Sequence, residues 1–172
     1  FAADVTLTYA NFPPAITFPS VQMERWKEEV EKRTNGTVEV QTFPGSTLLG
    51  AKEMFEGVQQ GRADIGCLCM SYQPCVFPLT TVLEIPMGIE SSEVASLILW
   101  DLYEEFQPQA FKNVKVLAMF TTAPSNIMSS VPVRSLEDLQ GMELRASGGA
   151  SEVLDRLGAV PVAVGVDAAV AV

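Results

Sequence analysis

The chain of 172 residues contains no histidine. That absence removes Ser-His-Asp and Cys-His nucleophilic catalysis and every zinc site that uses imidazole. Basic residues are scarce: 11 Lys and Arg stand against 21 Asp and Glu, a formal charge of −10. Nucleic acid and anionic membrane both call for clustered Lys and Arg, so neither is expected as the main partner. No apolar run is long enough to span a bilayer as a helix. The opening Phe1-Ala2-Ala3-Asp4 carries neither a basic nor an apolar leader. It suits a mature chain with its signal peptide removed, and equally a cytoplasmic chain lacking its Met.

What is present describes a globular protein, 48% hydrophobic and 19% charged. The length fits one large or two small domains and is ample for a buried core. An acidic protein that binds an anion must build a positive site against its own field, so each well-placed arginine gains weight.

Polar and apolar residues alternate over Asp4 to Ala10, the period of a half-buried strand, and Asn11-Phe12-Pro13-Pro14 ends it in a loop. Residues 18–34 then read as an amphipathic helix with Phe18, Val21, Trp26 and Val30 near one face. Glu28 with Lys32 and Glu29 with Arg33 form i,i+4 pairs on its wet side. A second strand over 37–43, a helix over 50–60 carrying Met54, Phe55 and Val58 inward, and a strand over 63–69 follow. This order is the βαβ pattern of a parallel sheet with helical crossovers. Beyond it the chain is irregular over 70–86, helical over 91–106 with a core stripe of Val94, Leu97, Ile98, Leu102 and Phe106, and extended over 113–120 and 125–130. A short helix over 149–157 and a strand over 160–164 close the pattern. Thr121-Thr122-Ala123-Pro124 reads as a crossing from one lobe to another.

The stretch that organises the chain is Val133 to Arg145. Ser135 can cap a helical turn, Asp138 can reach back to the cap's amide, and Gly141 stops the turn. A strand over 142–144 then brings Arg145 to its carboxyl end, directly before Ser147-Gly148-Gly149. Carboxyl ends of strands face the ligand crevice in α/β proteins. An arginine there could clamp a carboxylate bidentately, or simply be a surface residue at a strand end. Gly148-Gly149 before a helix could bind an anion or form a plain turn.

Three cysteines, Cys67, Cys69 and Cys75, are spaced C-x-C-x5-C. Without histidine, structural thiols outweigh a metal site, and no metal or other cofactor is expected. Asp64 and Glu84 are acidic groups in apolar surroundings. As a pair they suggest acid–base catalysis; singly, capping or salt-bridging.

Ser135-Leu136-Glu137-Asp138-Leu139-Gln140-Gly141-Met142-Glu143-Leu144-Arg145 closely resembles the signature of the solute-binding proteins of TRAP (tripartite ATP-independent periplasmic) transporters. Pro44-Gly45-Ser46-Thr47-Leu48-Leu49-Gly50, Glu53, and Val58 to Gly66 resemble a second block of the same family, and the similarity runs from about Asp4 to Val164. The resemblance implies an α/β fold of the two-lobed periplasmic-binding-protein type, with a first lobe over 1–122 and a partial second lobe over 123–172. It implies a periplasmic receptor, not an enzyme, that closes on a small organic acid and delivers it to a membrane permease, with Arg145 binding the ligand carboxylate. Loops leaving strand ends supply the other expected contacts: Asn11 and Phe12; Met70, Ser71 and Tyr72; Met87; Ser125 and Asn126. Some relatives carry a second arginine near Ser125, and its absence here argues against a highly anionic ligand. Relatives also continue beyond the Ala- and Val-rich 165–172, so the second lobe is expected to be incomplete. An oxidising periplasm would permit a bridge from Cys75 to Cys67 or Cys69. The competing readings are a small-acid enzyme using Asp64 or Glu84 as a base, and the effector-binding domain of a transcriptional regulator.

Overall fold

The computed structural model describes residues 3–73 and 75–162. The chain forms two compact units, residues 1–69 and 70–172.

In the first unit, stretches rich in β-branched and aromatic residues form β1 (Val5–Asn11) and β2 (Val38–Phe43), and a short β3 (Ile65–Cys67) completes three parallel strands. The sheet order is β2-β1-β3, with Val5 beside Val38 and Tyr9 beside both Thr42 and Ile65. Helices α1 (Phe18–Arg33) and α2 (Met54–Gln59) make the crossovers. The expected βαβαβ order is therefore the observed one. Parallel neighbours need such crossovers, and the helices cover opposite faces of the sheet, α1 on the side of Tyr9 and Asn11 and α2 on the side of Ala10. Ala10, Leu49, Met54 and Ala63 form the core, with Val58 and Leu68 against it.

The inward face of α1 differs from expectation: Ser20 and Met23 are buried, whereas Phe18 is 65% exposed. Trp26 settles the helix by meeting Tyr9 edge-on at 5.7 Å. Burial, then the neighbouring Cys67, pushes the Tyr9 phenol up to about 12. On the outer side Arg33 pairs with Glu29 at 2.7 Å, both exposed, so this contact adds little.

Asp64 sits just before β3. Its Oδ2 accepts from the Thr8 backbone N–H at 2.8 Å and the Thr8 hydroxyl at 2.7 Å, while the Asp64 N–H donates to Thr8 Oγ1 at 3.0 Å. This reciprocal pair pins the start of β3 to β1.

The second unit begins with 3-10 turns at Met70–Tyr72 and Thr80–Glu84. Helix α3 (Ser92–Phe106) follows, capped by Ser91 Oγ accepting from the Val94 N–H at 3.3 Å. Phe77 stacks on Phe111 at 4.8 Å, and Tyr103 meets Phe111 edge-on at 5.6 Å. The apolar stripe expected to be core is largely outward: Leu99 is buried, but Val94, Leu97 and Phe106 are 49%, 61% and 57% exposed. The aromatic contacts of Tyr103 fix which side of α3 faces in.

The strands expected over 113–120 and 125–130 are irregular, because no described strand lies beside them to complete a ladder. The alternation survives only as exposure, with Val114 and Val116 more covered than Lys115 and Leu117. Thr121 is tied to α3 through its N–H to Ser96 Oγ at 2.9 Å.

Strands β4 (Glu143–Arg145) and β5 (Val160–Val162) pair in parallel, Arg145 opposite Val162, joined by helix α4 (Gly149–Arg156). Residues 163 and 164 of the expected last strand, and the tail over 165–172, lie outside the described residues. The units part at 69/70, ahead of the crossing at which the sequence places the lobe boundary. Residues 70–84 make long-range hydrogen bonds to the segment around β4 and α4.

Two outcomes follow. Met54 is fully buried, so Met54→Ala should lower stability by about 2–5 kcal/mol in urea unfolding; no loss would mean the core lies elsewhere. The Thr8 donors hold the Asp64 carboxyl below its usual 3.8. A depressed carboxyl stabilises the fold above the unfolded value, and that contribution is lost as pH falls through the folded one. The stability gap between the unaltered protein and Asp64→Asn should therefore be full near neutrality and close as pH drops below about 3.8. A gap independent of pH contradicts this.

Candidate functional site

The segment leading to Arg145 folds as its residues dictate. Asp138 Oδ2 accepts from the N–H groups of Arg134 at 2.8 Å and Ser135 at 3.0 Å, which holds the Asp138 carboxyl below its usual range. A 3-10 turn over Glu137–Leu139 follows, and Gly141 at φ +71° turns the chain into β4. Arg145 ends β4 and is exposed. Its Nη2 donates to Tyr72 Oη at 3.0 Å.

Tyr72 stands in the turn with Met70 and Ser71. Met70 Sδ accepts from Thr80 Oγ1 at 3.0 Å, anchoring the turn's start. Ser71 Oγ donates to Glu84 Oε1 at 2.5 Å, and the other carboxylate oxygen, Oε2, accepts from the Gly149 N–H at 2.6 Å. Glu84 thus occupies the N-terminus of α4, where the helix's unpaired N–H groups favour negative charge. Of the two readings of Gly148-Gly149, the anion site is occupied by the protein's own side chain. A Cβ on Gly148, at φ +58°, would fall 2.2 Å from Glu84 Oε2, so glycine is required on both conformational and steric grounds.

Of the residues expected at the site, the structure brings together Ser71, Tyr72 and Arg145. Met87 is 49% exposed, and Ser125 and Asn126 are exposed in the irregular stretch, where Asn126 Nδ2 bonds Pro124 O at 3.4 Å. In the first unit Asn11 is fully buried, its Nδ2 donating to Ser20 Oγ at 3.1 Å, and Phe12 packs on the core. Two cavities in the second unit, about 320 and 270 Å³, are lined by Leu97, Trp100 and Leu117 and by Phe77, Pro108 and Phe111, away from the expected residues.

The two carboxylates considered as bases are both engaged in structural hydrogen bonds, Asp64 with Thr8 and Glu84 with Ser71 and Gly149. All three thiols are free, and the bridge that an oxidising periplasm would permit from Cys75 is not formed. No group of three metal-binding side chains occurs among the described residues, and no described helix is long and apolar enough to cross a membrane.

The family model described as bacterial extracellular solute-binding protein, family 7, matches residues 11–166. The chain belongs to that family. A solute-binding protein of Roseobacter denitrificans is 27% identical over 151 residues, which cover 84% of this chain and 45% of that one. Among solved structures, a TRAP periplasmic solute-binding protein of Desulfovibrio salexigens is 63% identical, with TM-score 0.82 over 96% of this chain and 52% of that one. It is an open complex with the C-terminus of a symmetry mate in its ligand-binding site. A marine-metagenome TRAP solute-binding protein specific for aromatic acids, holding 3-hydroxybenzoate, is 28% identical with TM-score 0.88 over 99% of this chain and 54% of that one. The α/β fold is thus of the periplasmic-binding-protein type, and the resemblance seen in the two sequence blocks holds. The chain spans about half the length of these relatives.

The thiols of this solute-binding protein should differ in reactivity. Burial, then Cys69, pushes the Cys67 thiol up to about 11, whereas Cys75 is exposed. The thiolate is the reacting form, so at pH 8 roughly one Cys67 in a thousand is reactive. Mass mapping after brief iodoacetamide treatment should show Cys75 modified first; Cys67 modified first would contradict the burial.

Proposed function

We propose that this chain is the ligand-binding portion of a TRAP-transporter receptor. It works in the periplasm, takes a small organic acid by its carboxylate and delivers it to a membrane permease. The observation that carries the reading is Arg145, exposed at the carboxyl end of β4 with one guanidinium nitrogen already held by Tyr72. A guanidinium presents parallel N–H donors that match a carboxylate, and fixing the fork beforehand lowers the entropy lost on binding. In a chain of net charge −10, that local cation supplies the attraction an anion needs.

The relatives support this chemistry. One accepts a polypeptide C-terminus, which ends in a carboxylate, and another accepts 3-hydroxybenzoate. Tyr72 and Ser71 would flank the ligand, Met70 and Met87 would offer apolar surface, and Ser125 and Asn126 would orient its polar groups. The lobes of the whole receptor would divide at 122/123. A family of solute receptors, together with carboxylates already occupied at Asp64 and Glu84, favours binding over turnover.

A charge-assisted hydrogen bond contributes about 1.5–3 kcal/mol, or roughly ten- to hundred-fold in affinity. Calorimetry with 3-hydroxybenzoate should show Arg145→Ala weakening binding by about that factor, with Arg145→Lys between the two. 3-Hydroxybenzamide should bind poorly to the unaltered protein. An unchanged dissociation constant in Arg145→Ala would remove Arg145 from the site.

A further inference from the structure

We propose that Glu84 is a positioning residue for Arg145, holding its guanidinium in one direction through a closed ring of hydrogen bonds. The purpose of the ring rests on the carboxylate-binding reading of Arg145; its existence as an orienting device does not. The ring is traced along the chain. Glu84 Oε1 accepts from Ser71 Oγ at 2.5 Å, and Tyr72 follows Ser71. Tyr72 Oη accepts from Arg145 Nη2 at 3.0 Å. Four residues past Arg145, the Gly149 N–H returns to Glu84 Oε2 at 2.6 Å.

Each oxygen of one carboxylate therefore holds a different segment: the turn that carries Tyr72, and the turn that follows Arg145. Neither segment can fix itself. Met70–Tyr72 is a three-residue 3-10 turn, and β4 is a three-residue strand with a single neighbour among the described residues. Short elements of this kind leave side-chain direction to tertiary bonds. The two glycines serve the same arrangement. A Cβ on Gly148 would also come 2.9 Å from the Ser71 Cβ, and one on Gly149 would come 3.1 Å from the Glu84 Cβ. Glu84 is half-buried and sits outside the β4–β5 ladder, so opening the ring leaves the ladder in place while the Tyr72 hydroxyl that receives Arg145 loses its fixed position.

The chemistry separates orientation from bulk. In Glu84→Gln the amide oxygen still accepts from the Gly149 N–H, and its NH2 can donate to the Ser71 hydroxyl, which also accepts. The ring stays closed. Glu84→Ala opens it.

The test is 15N relaxation of the Arg145 Nε–H in the full chain without ligand, its signal assigned by its loss in Arg145→Lys. The unaltered protein and Glu84→Gln should show an ordered Arg145. Glu84→Ala and Tyr72→Phe should each drop its order parameter into the flexible range, below about 0.6. The double variant should fall no further, since both changes open one ring. An Arg145 already disordered in the unaltered protein, an ordered one in Glu84→Ala, or additive losses would overturn the proposal. If Glu84→Ala does not fold, Ser71→Ala opens the same ring and is read the same way. The two readings fail separately. Unchanged 3-hydroxybenzoate affinity in Arg145→Ala sinks the ligand role alone, whereas an ordered Arg145 in Glu84→Ala sinks the positioning role alone.

Discussion

The second unit turns on how a helix N-terminus is satisfied. The first N–H groups of α4 have no partners within the helix, and Glu84 supplies an acceptor from a distant turn. A carboxylate there gains from the helix dipole by about 0.3–1 kcal/mol when exposed, and more when partly buried. Because the same carboxylate also holds Ser71, the helix end becomes a junction between three segments distant in sequence. The arginine and tyrosine that face outward beside it inherit their geometry from that junction.

Charge explains why one arginine matters so much. The chain is acidic overall, and the other ion pairs seen among the described residues, Arg33–Glu29, Arg62–Glu53 and Arg156–Glu152, tie up their arginines with surface carboxylates. Arg145 donates to a neutral phenol, a contact that orients the guanidinium without itself bringing a carboxylate to it.

Much of the fold was legible in the sequence, and the reasons are particular. The strands and crossovers of the first unit showed because polar and apolar residues alternate over most of β1 and β2, and Ala10 and Val40 vanish into the core. The turn before Arg145 showed because Asp138 and Gly141 each impose a local geometry that needs no distant partner, whereas Ser135 contributes its N–H to Asp138 and not the side-chain cap expected of it. The extended readings of 113–120 and 125–130 failed because a strand exists only with a neighbour, and periodicity does not say whether one is there. The inward faces of α1 and α3 were read only in part: Trp26 was placed inward, where it meets Tyr9, but the burial of Met23 and Leu99 and the contact of Tyr103 with Phe111 are set by tertiary packing that periodicity does not show. At the site, Arg145 was visible from its place at a strand end. The dual role of Glu84 was not, since only its capping character could be read from sequence and its two donors lie 13 and 65 residues away.

The central claim is that a guanidinium oriented by Tyr72 receives the ligand's carboxylate. A crystal structure of the protein soaked with 3-hydroxybenzoate tests it most directly. The account predicts carboxylate oxygens at about 2.7–2.9 Å from the Arg145 guanidinium, with the Tyr72 contact kept. A bound carboxylate resting on other donors, with Arg145 untouched, would contradict it.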